Sequence, residues 1–147
     1  MSRHSHSRIL VHFVWGTHNH QKLMTKELRF RLNDYLGEYA TNQDVRRITS
    51  YVNIDHVHFL ADIPTSKSIA DIVKLLKGAS SRWINQQDDQ WMKFAWGRGY
   101  GAFSVSESTL KQVILYINNQ KEHHRNRTFR EEYDLFIERY HVELGNR

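Results

Sequence analysis

The chain has 147 residues, 39% hydrophobic and 12% aromatic, which suits one compact soluble domain spanning 1–147 with an ordinary core. Its 21 Lys and Arg against 16 Asp and Glu give a formal charge of +5, which fits a polyanionic partner such as nucleic acid and equally a plain basic soluble protein. The lack of cysteine excludes disulfides, zinc–thiolate sites, iron–sulfur clusters and cysteine nucleophiles. With no apolar run of transmembrane length and no signal-peptide core in Met1 to Arg8, it points to a cytoplasmic protein with no membrane partner.

Ile9 to Trp15 is rich in β-branched and aromatic residues and predicts a first strand. A polar loop, Thr17 to Lys22, precedes a helix capped by Thr25 and running to about Thr41, with Leu28, Leu32, Tyr35 and Leu36 on one face. Asn42 to Asp44 is a turn. Arg46 to Ile54 alternates, with Ile48, Val52 and Ile54 on one side, and predicts a second strand. After a turn at Asp55, His56 to Ile63 forms a third strand stopped by Pro64, the one proline in the chain.

Ser68 caps a long helix through about Gln87, carrying Ile72, Val73, Leu76, Ala79, Trp83 and Ile84. A polar loop and the glycine- and aromatic-rich stretch Trp96 to Tyr100 lead to a fourth strand, Gly101 to Val105. Ser106 or Ser108 starts a helix through about His124, and Thr128 starts a last one to about His141. The order is βαββαβ followed by two additional C-terminal helices. That is an α+β, ferredoxin-like arrangement shared with RNA-recognition modules: an antiparallel sheet with helices over one face. The other face is open to ligand or to the C-terminal helices. The fold alone does not settle function.

Three groups of residues carry potential chemistry. His56 and His58 flank Val57 on one strand, so both point to the same face, while Val57, Phe59, Ala61 and Ile63 point to the helix-covered one. A lone strand histidine is usually a packed residue, but a same-face pair is able to share one metal. Tyr116 and Gln120 stand four residues apart beside the buried stripe Leu110, Val113, Ile114 and Ile117, and so stack on one helix face. Taken singly, Tyr116 reads as a core-edge ring and Gln120 as a surface amide. His123, His124, Arg125, Arg127 and Arg130 form a basic run that fits a solvated helix end or a phosphate contact.

Taken together, three segments resemble the single-tyrosine HUH transposases of small bacterial insertion sequences, the REP-associated tyrosine transposases included. They are Asp55-His56-Val57-His58-Phe59-Leu60, then Trp96-Gly97-Arg98-Gly99-Tyr100-Gly101-Ala102-Phe103-Ser104-Val105-Ser106, and Tyr116-Ile117-Asn118-Asn119-Gln120 with His123-His124. They occur in the family's order and cover nearly the whole chain.

The resemblance implies a transposase that cleaves and rejoins single-stranded DNA, recognising a hairpin. It makes Tyr116 the nucleophile and His56, His58 and Gln120 the metal ligands. It also implies a homodimer joined along sheet edges, with the tyrosine helix serving either its own histidines or its partner's. Such a site suits Mg²⁺ or Mn²⁺ better than zinc, which favours a closed tetrahedral set. His123 and His124 are the candidates for general base. Lys74, Lys77, Arg82, Arg98, Tyr100, His123, His124 and Arg125, with Trp15 and His18, are the candidate DNA surface. Two rivals are a domesticated enzyme that processes chromosomal repeats and a non-catalytic nucleic-acid-binding module.

Overall fold

The computed structural model describes residues 5–88 and 90–120, together with Glu131, Asp134 and Glu138. In chain order the strands are β1 (Leu10–Gly16), β2 (Arg46–Val52), β3 (His56–Asp62) and β4 (Gly101–Ser104). The helices are α1 (Lys26–Asn42), α2 (Ile69–Asn85) and α3 (Leu110–Asn118), with a short 3-10 turn at His18–His20. The sheet order is β2-β3-β1-β4, and every neighbouring pair is antiparallel. The expected α+β, ferredoxin-like sheet is therefore the observed one. Among the described residues no helix is long and apolar enough to cross a membrane.

Local chemistry sets the helix starts. Thr25 Oγ1 accepts from the Leu28 amide at 3.1 Å, and Ser68 Oγ accepts from the Asp71 amide at 3.0 Å. Each satisfies one of the unpaired donors at a helix N-terminus. α2 ends two residues before the expected Gln87, where Phe94 N donates to Asn85 Oδ1 and Asn85 Nδ2 to Phe94 O.

Two cores lie on opposite faces of the sheet. The larger packs α1 and α2 through Leu28, Leu32, Leu36, Ile72, Val73, Leu76 and Ile84 against Val11, Phe13, Trp15, Val57, Phe59 and Ala61. The smaller packs α3 through Val113, Tyr116 and Ile117 against Val14, Leu60 and Phe103. α3 thus covers the face that strand alternation gives to the two histidines.

Two expectations need correction. Ile48, Val52 and Ile54 do not share a side. The β2–β3 register shifts between Arg47 and Thr49, so the chain carries an extra residue there and the alternation changes phase. Val52 enters the larger core, Ile48 packs on the smaller one, and Ile54 lies past the strand and exposed. The helix expected to continue to His124 is described only as Leu110–Asn118, with Thr109 rather than a serine at its N-cap and Gln120 helical again beyond Asn119. Apart from Glu131, Asp134 and Glu138, all helical and exposed, the expected last helix lies outside the described residues.

Ile117 is fully buried between α3 and the sheet. Ile117→Ala is expected to lower the unfolding free energy by about 2–5 kcal/mol, the usual cost of a large-to-small core change. Urea titration measures this. A loss below about 1 kcal/mol, within the range of well-tolerated core swaps, would mean that α3 is not seated on its own sheet.

Candidate active site

The site is built on the two central strands. β1 and β3 pair with Gly16 opposite His56, Val14 opposite His58 and His12 opposite Leu60. Side chains alternate across a strand, so His56 and His58 share the face of Val14 and Leu60. Their rings are 5.0 Å apart, centroid to centroid, at 75°. Both are buried, at 0% and 1% exposure.

Each ring is held from behind. His56 Nδ1 donates to Asp55 Oδ1 at 2.7 Å. Asp55 is itself fixed by the turn between β2 and β3, where its carbonyl accepts from Thr17 N at 2.8 Å. His58 Nδ1 lies 2.9 Å from Nε2 of His12, a third buried histidine on β1. With Nδ1 bonded to Asp55, His56 presents Nε2 as a lone pair. Asn53 Nδ2 donates to it at 3.4 Å and also to Gln120 Oε1 at 3.3 Å.

α3 supplies the remaining groups. Gln120 is fully buried, and its Nε2 donates to the Tyr116 carbonyl at 3.0 Å, while its Oε1 accepts from Asn53. The Tyr116 ring meets the His58 ring edge-on, centroids 5.9 Å apart. On β2, Thr49 Oγ1 donates to Asn118 Oδ1 at 2.6 Å and ties the helix end to the sheet. His56, His58, Tyr116 and Gln120 are therefore brought together within one chain.

The donor set fits a divalent cation. The Asn53 amide NH₂, the positive end of a dipole, bridges His56 Nε2 and Gln120 Oε1, so these lone pairs already converge on a positively polarised group. Among the described residues no group of three or more His, Cys, Asp or Glu side chains is placed to hold a metal ion, so a ligand set here would need the Gln120 amide oxygen beside the imidazoles.

The other expected surface residues divide. Lys77 donates from Nζ to Gly97 O at 2.8 Å and Gly99 O at 3.0 Å, so its ammonium is committed to the Gly97-Arg98-Gly99 segment. Burial also pulls it below the usual lysine value. That segment needs its glycines: a Cβ on Gly97 would stand 3.2 Å from Thr17 O, and Gly99 has φ +79°. Gly97 N donates to Gly16 O at 2.8 Å, so the segment lies at the His56 end of the sheet, with Arg98 and Tyr100 exposed on it. Lys74 and Arg82 are exposed on α2, across the sheet from the histidines. Trp15 is a correction: it is 1% exposed and packs against Phe59 and Trp96, so it offers no face to a base. His18 is exposed. His123, His124 and Arg125 lie outside the described residues.

The sequence reading missed His12, Asn53 and the bond of Asp55 to His56. A signal for His12 existed: it is the one polar residue in the otherwise apolar run Leu10 to Trp15, and a polar group inside such a strand is informative.

Burial lowers the His56 pKa below the ordinary imidazole value, against the opposing pull of Asp55, while nearby His20 lowers it further. Burial thus favours the neutral form of His56 in the folded chain. Below pH ~6.5 the unfolded chain takes up a proton that the folded chain resists, so this ring's contribution to stability is present at higher pH and is lost as pH falls. Melting temperatures across roughly pH 5–8 should fall more steeply towards acid for the parent than for His56→Gln. Parallel curves would overturn the assignment.

Comparison with known proteins fits this geometry. Residues 5–120 match the family described as transposase, IS200-like. The chain is 31% identical over 116 residues to the ISDra2 transposase TnpA of Deinococcus radiodurans, across 76% of this chain and 83% of that protein. It is 27% identical over 124 residues to the transposase for insertion sequence element IS200 of Salmonella typhimurium, across 81% of each. A crystal structure of a Deinococcus radiodurans protein assigned as a transposase matches with a TM-score of 0.62 at 30% identity, over 82% of this chain and 96% of that one. The REP-associated tyrosine transposase solved with a REP hairpin shares the fold, with a TM-score of 0.63 at 11% identity, over 85% and 75% of the two chains. With the family match extending from the start of the described residues to Gln120, this chain belongs to the IS200-like transposases.

Proposed function

We propose that this transposase cleaves and rejoins single-stranded DNA with Tyr116 as nucleophile, at a site where His56, His58 and Gln120 hold Mg²⁺ or Mn²⁺. The observation that carries the reading is the convergence of these four side chains where α3 crosses the histidine face of the sheet.

The Tyr116 oxygen forms a bond to phosphorus while the bond from phosphorus to the 3′ oxygen breaks. The phenol gives up its proton, and the departing 3′ oxygen gains one to leave as a hydroxyl. The 5′-phosphotyrosine conserves one phosphodiester bond, so a 3′-hydroxyl reverses the step without ATP. A bound cation would neutralise a non-bridging phosphate oxygen and hold phosphorus in line. The chain's own groups do the rest. Asp55 orients His56, the Tyr116 carbonyl fixes the Gln120 amide, and the His58 ring packs against the tyrosine.

Arg98 and Tyr100, exposed at the His56 end of the sheet, are the proposed contacts for backbone and base. A hairpin substrate is carried over from the REP-associated relative solved with one. A homodimer joined along an edge strand, β2 or β4, is part of the same proposal. Light scattering after gel filtration should give twice the chain mass of 17.6 kDa.

Incubation with labelled single-stranded hairpin DNA and Mn²⁺ or Mg²⁺ should give a covalent protein–DNA adduct that resists denaturation. Chelation of the cation and Tyr116→Phe should each reduce it to background. An adduct formed equally by Tyr116→Phe would end the nucleophile assignment. Tight binding with no adduct under any metal would leave a non-catalytic binding module instead.

A further inference from the structure

His12 is fully buried on β1, in the midst of Leu10, Val11, Phe13 and Val14. A polar ring in such surroundings is costly if left unsatisfied. Its Nε2 stands 2.9 Å from His58 Nδ1, with ring centroids 5.1 Å apart. This bond joins the two central strands on the site face, because His12 faces Leu60 and so sits diagonal to His58.

One proton is shared between the two rings, and its position decides what His58 is able to do. If it sits on His12 Nε2, His58 Nδ1 accepts and a neutral His58 carries its own proton on Nε2, which then cannot ligate. If it sits on His58 Nδ1, that nitrogen donates to His12 and His58 Nε2 is left with a lone pair. His56 is arranged the second way: Nδ1 donates to Asp55, and Nε2 accepts from Asn53, which also donates to Gln120 Oε1.

We infer that His12 is a positioning residue. It accepts from His58 Nδ1 through its own Nε2, fixing the tautomer and orientation in which His58 Nε2 serves the site. The inference rests on the proposal that His56 and His58 hold a cation. It adds that the two ligands are supported unequally. A carboxylate backs His56 and a neutral imidazole backs His58, so the second support brings no negative charge near an incoming phosphate.

The test compares the full chain with His12→Phe, His12→Gln and His58→Ala. Side-chain ¹⁵N NMR of the metal-free parent at neutral pH should show His58 protonated at Nδ1 and bare at Nε2. In His12→Phe that preference should be lost, while His12→Gln, whose Oε1 also accepts, should keep it. Calorimetric titration with Mn²⁺ should show affinity about 10–100-fold weaker for His12→Phe, the usual effect of removing such a supporting partner, and largely restored in His12→Gln.

A parent His58 protonated at Nε2 overturns the inference, and so does unchanged Mn²⁺ affinity in His12→Phe. If the parent binds Mn²⁺ no better than His58→Ala, the metal proposal itself fails and this inference falls with it, a pattern distinct from loss of the His12 effect alone. Should His12→Phe fail to fold, the parent tautomer and the His12→Gln affinity still decide.

Discussion

Pairing of β1 with β3 sets Val14 opposite His58 and Gly16 opposite His56, and the rest of the site depends on that register. Side chains alternate with a period of two, so a slip of one residue would send His12 into the larger core and Phe13 onto the site face. The register is held from both sides. Phe13 and Phe59, paired opposite each other, are both fully buried under α1 and α2. On the other face the His12–His58 bond repeats the same alignment in polar form.

The sheet therefore has two unlike faces with different tasks. One is apolar, packed by two capped helices, and stabilises the domain. The other carries buried polar groups beside a smaller apolar patch. Burial of His12, Asn53, Asp55, His56, His58 and Gln120 is costly one by one, and the structure offsets it with two sets of bonds, His12 with His58 between the strands, and Asp55, His56, Asn53 and Gln120 from turn to helix. Such networks hold their members at fixed angles, which a site for a directional ligand requires.

The His56 end of the sheet is shaped by a separate device. Gly97 lies against the Gly16–Thr17 backbone, and Lys77 reaches from α2 to two carbonyls of the segment. Trp96 is pinned by its Nε1 donating to Ser80 Oγ at 2.9 Å and by the edge-on ring of Trp15. A helix on the far face thereby fixes the loop that carries Arg98 and Tyr100, and links residues whose nearness no local pattern reveals.

The sequence by itself determined the order of the described strands and helices, the N-caps of α1 and α2 and the shared face of His56 and His58, because each depends on neighbours within a turn or a strand. Gln120 follows Tyr116 by one helical turn, and its amide donates to the Tyr116 carbonyl. What local pattern did not carry was long-range. The bulge that turns Ile48 away from Val52 depends on pairing with β3, and Trp15, aromatic and legible as a stacking surface, is claimed by Phe59 and Trp96. His12 is separated from His58 by 46 residues, and only the antiparallel register makes them neighbours. Tertiary structure decided which buried polar groups meet, because that depends on pairing between distant strands, whereas periodicity reports only which way each strand or helix faces.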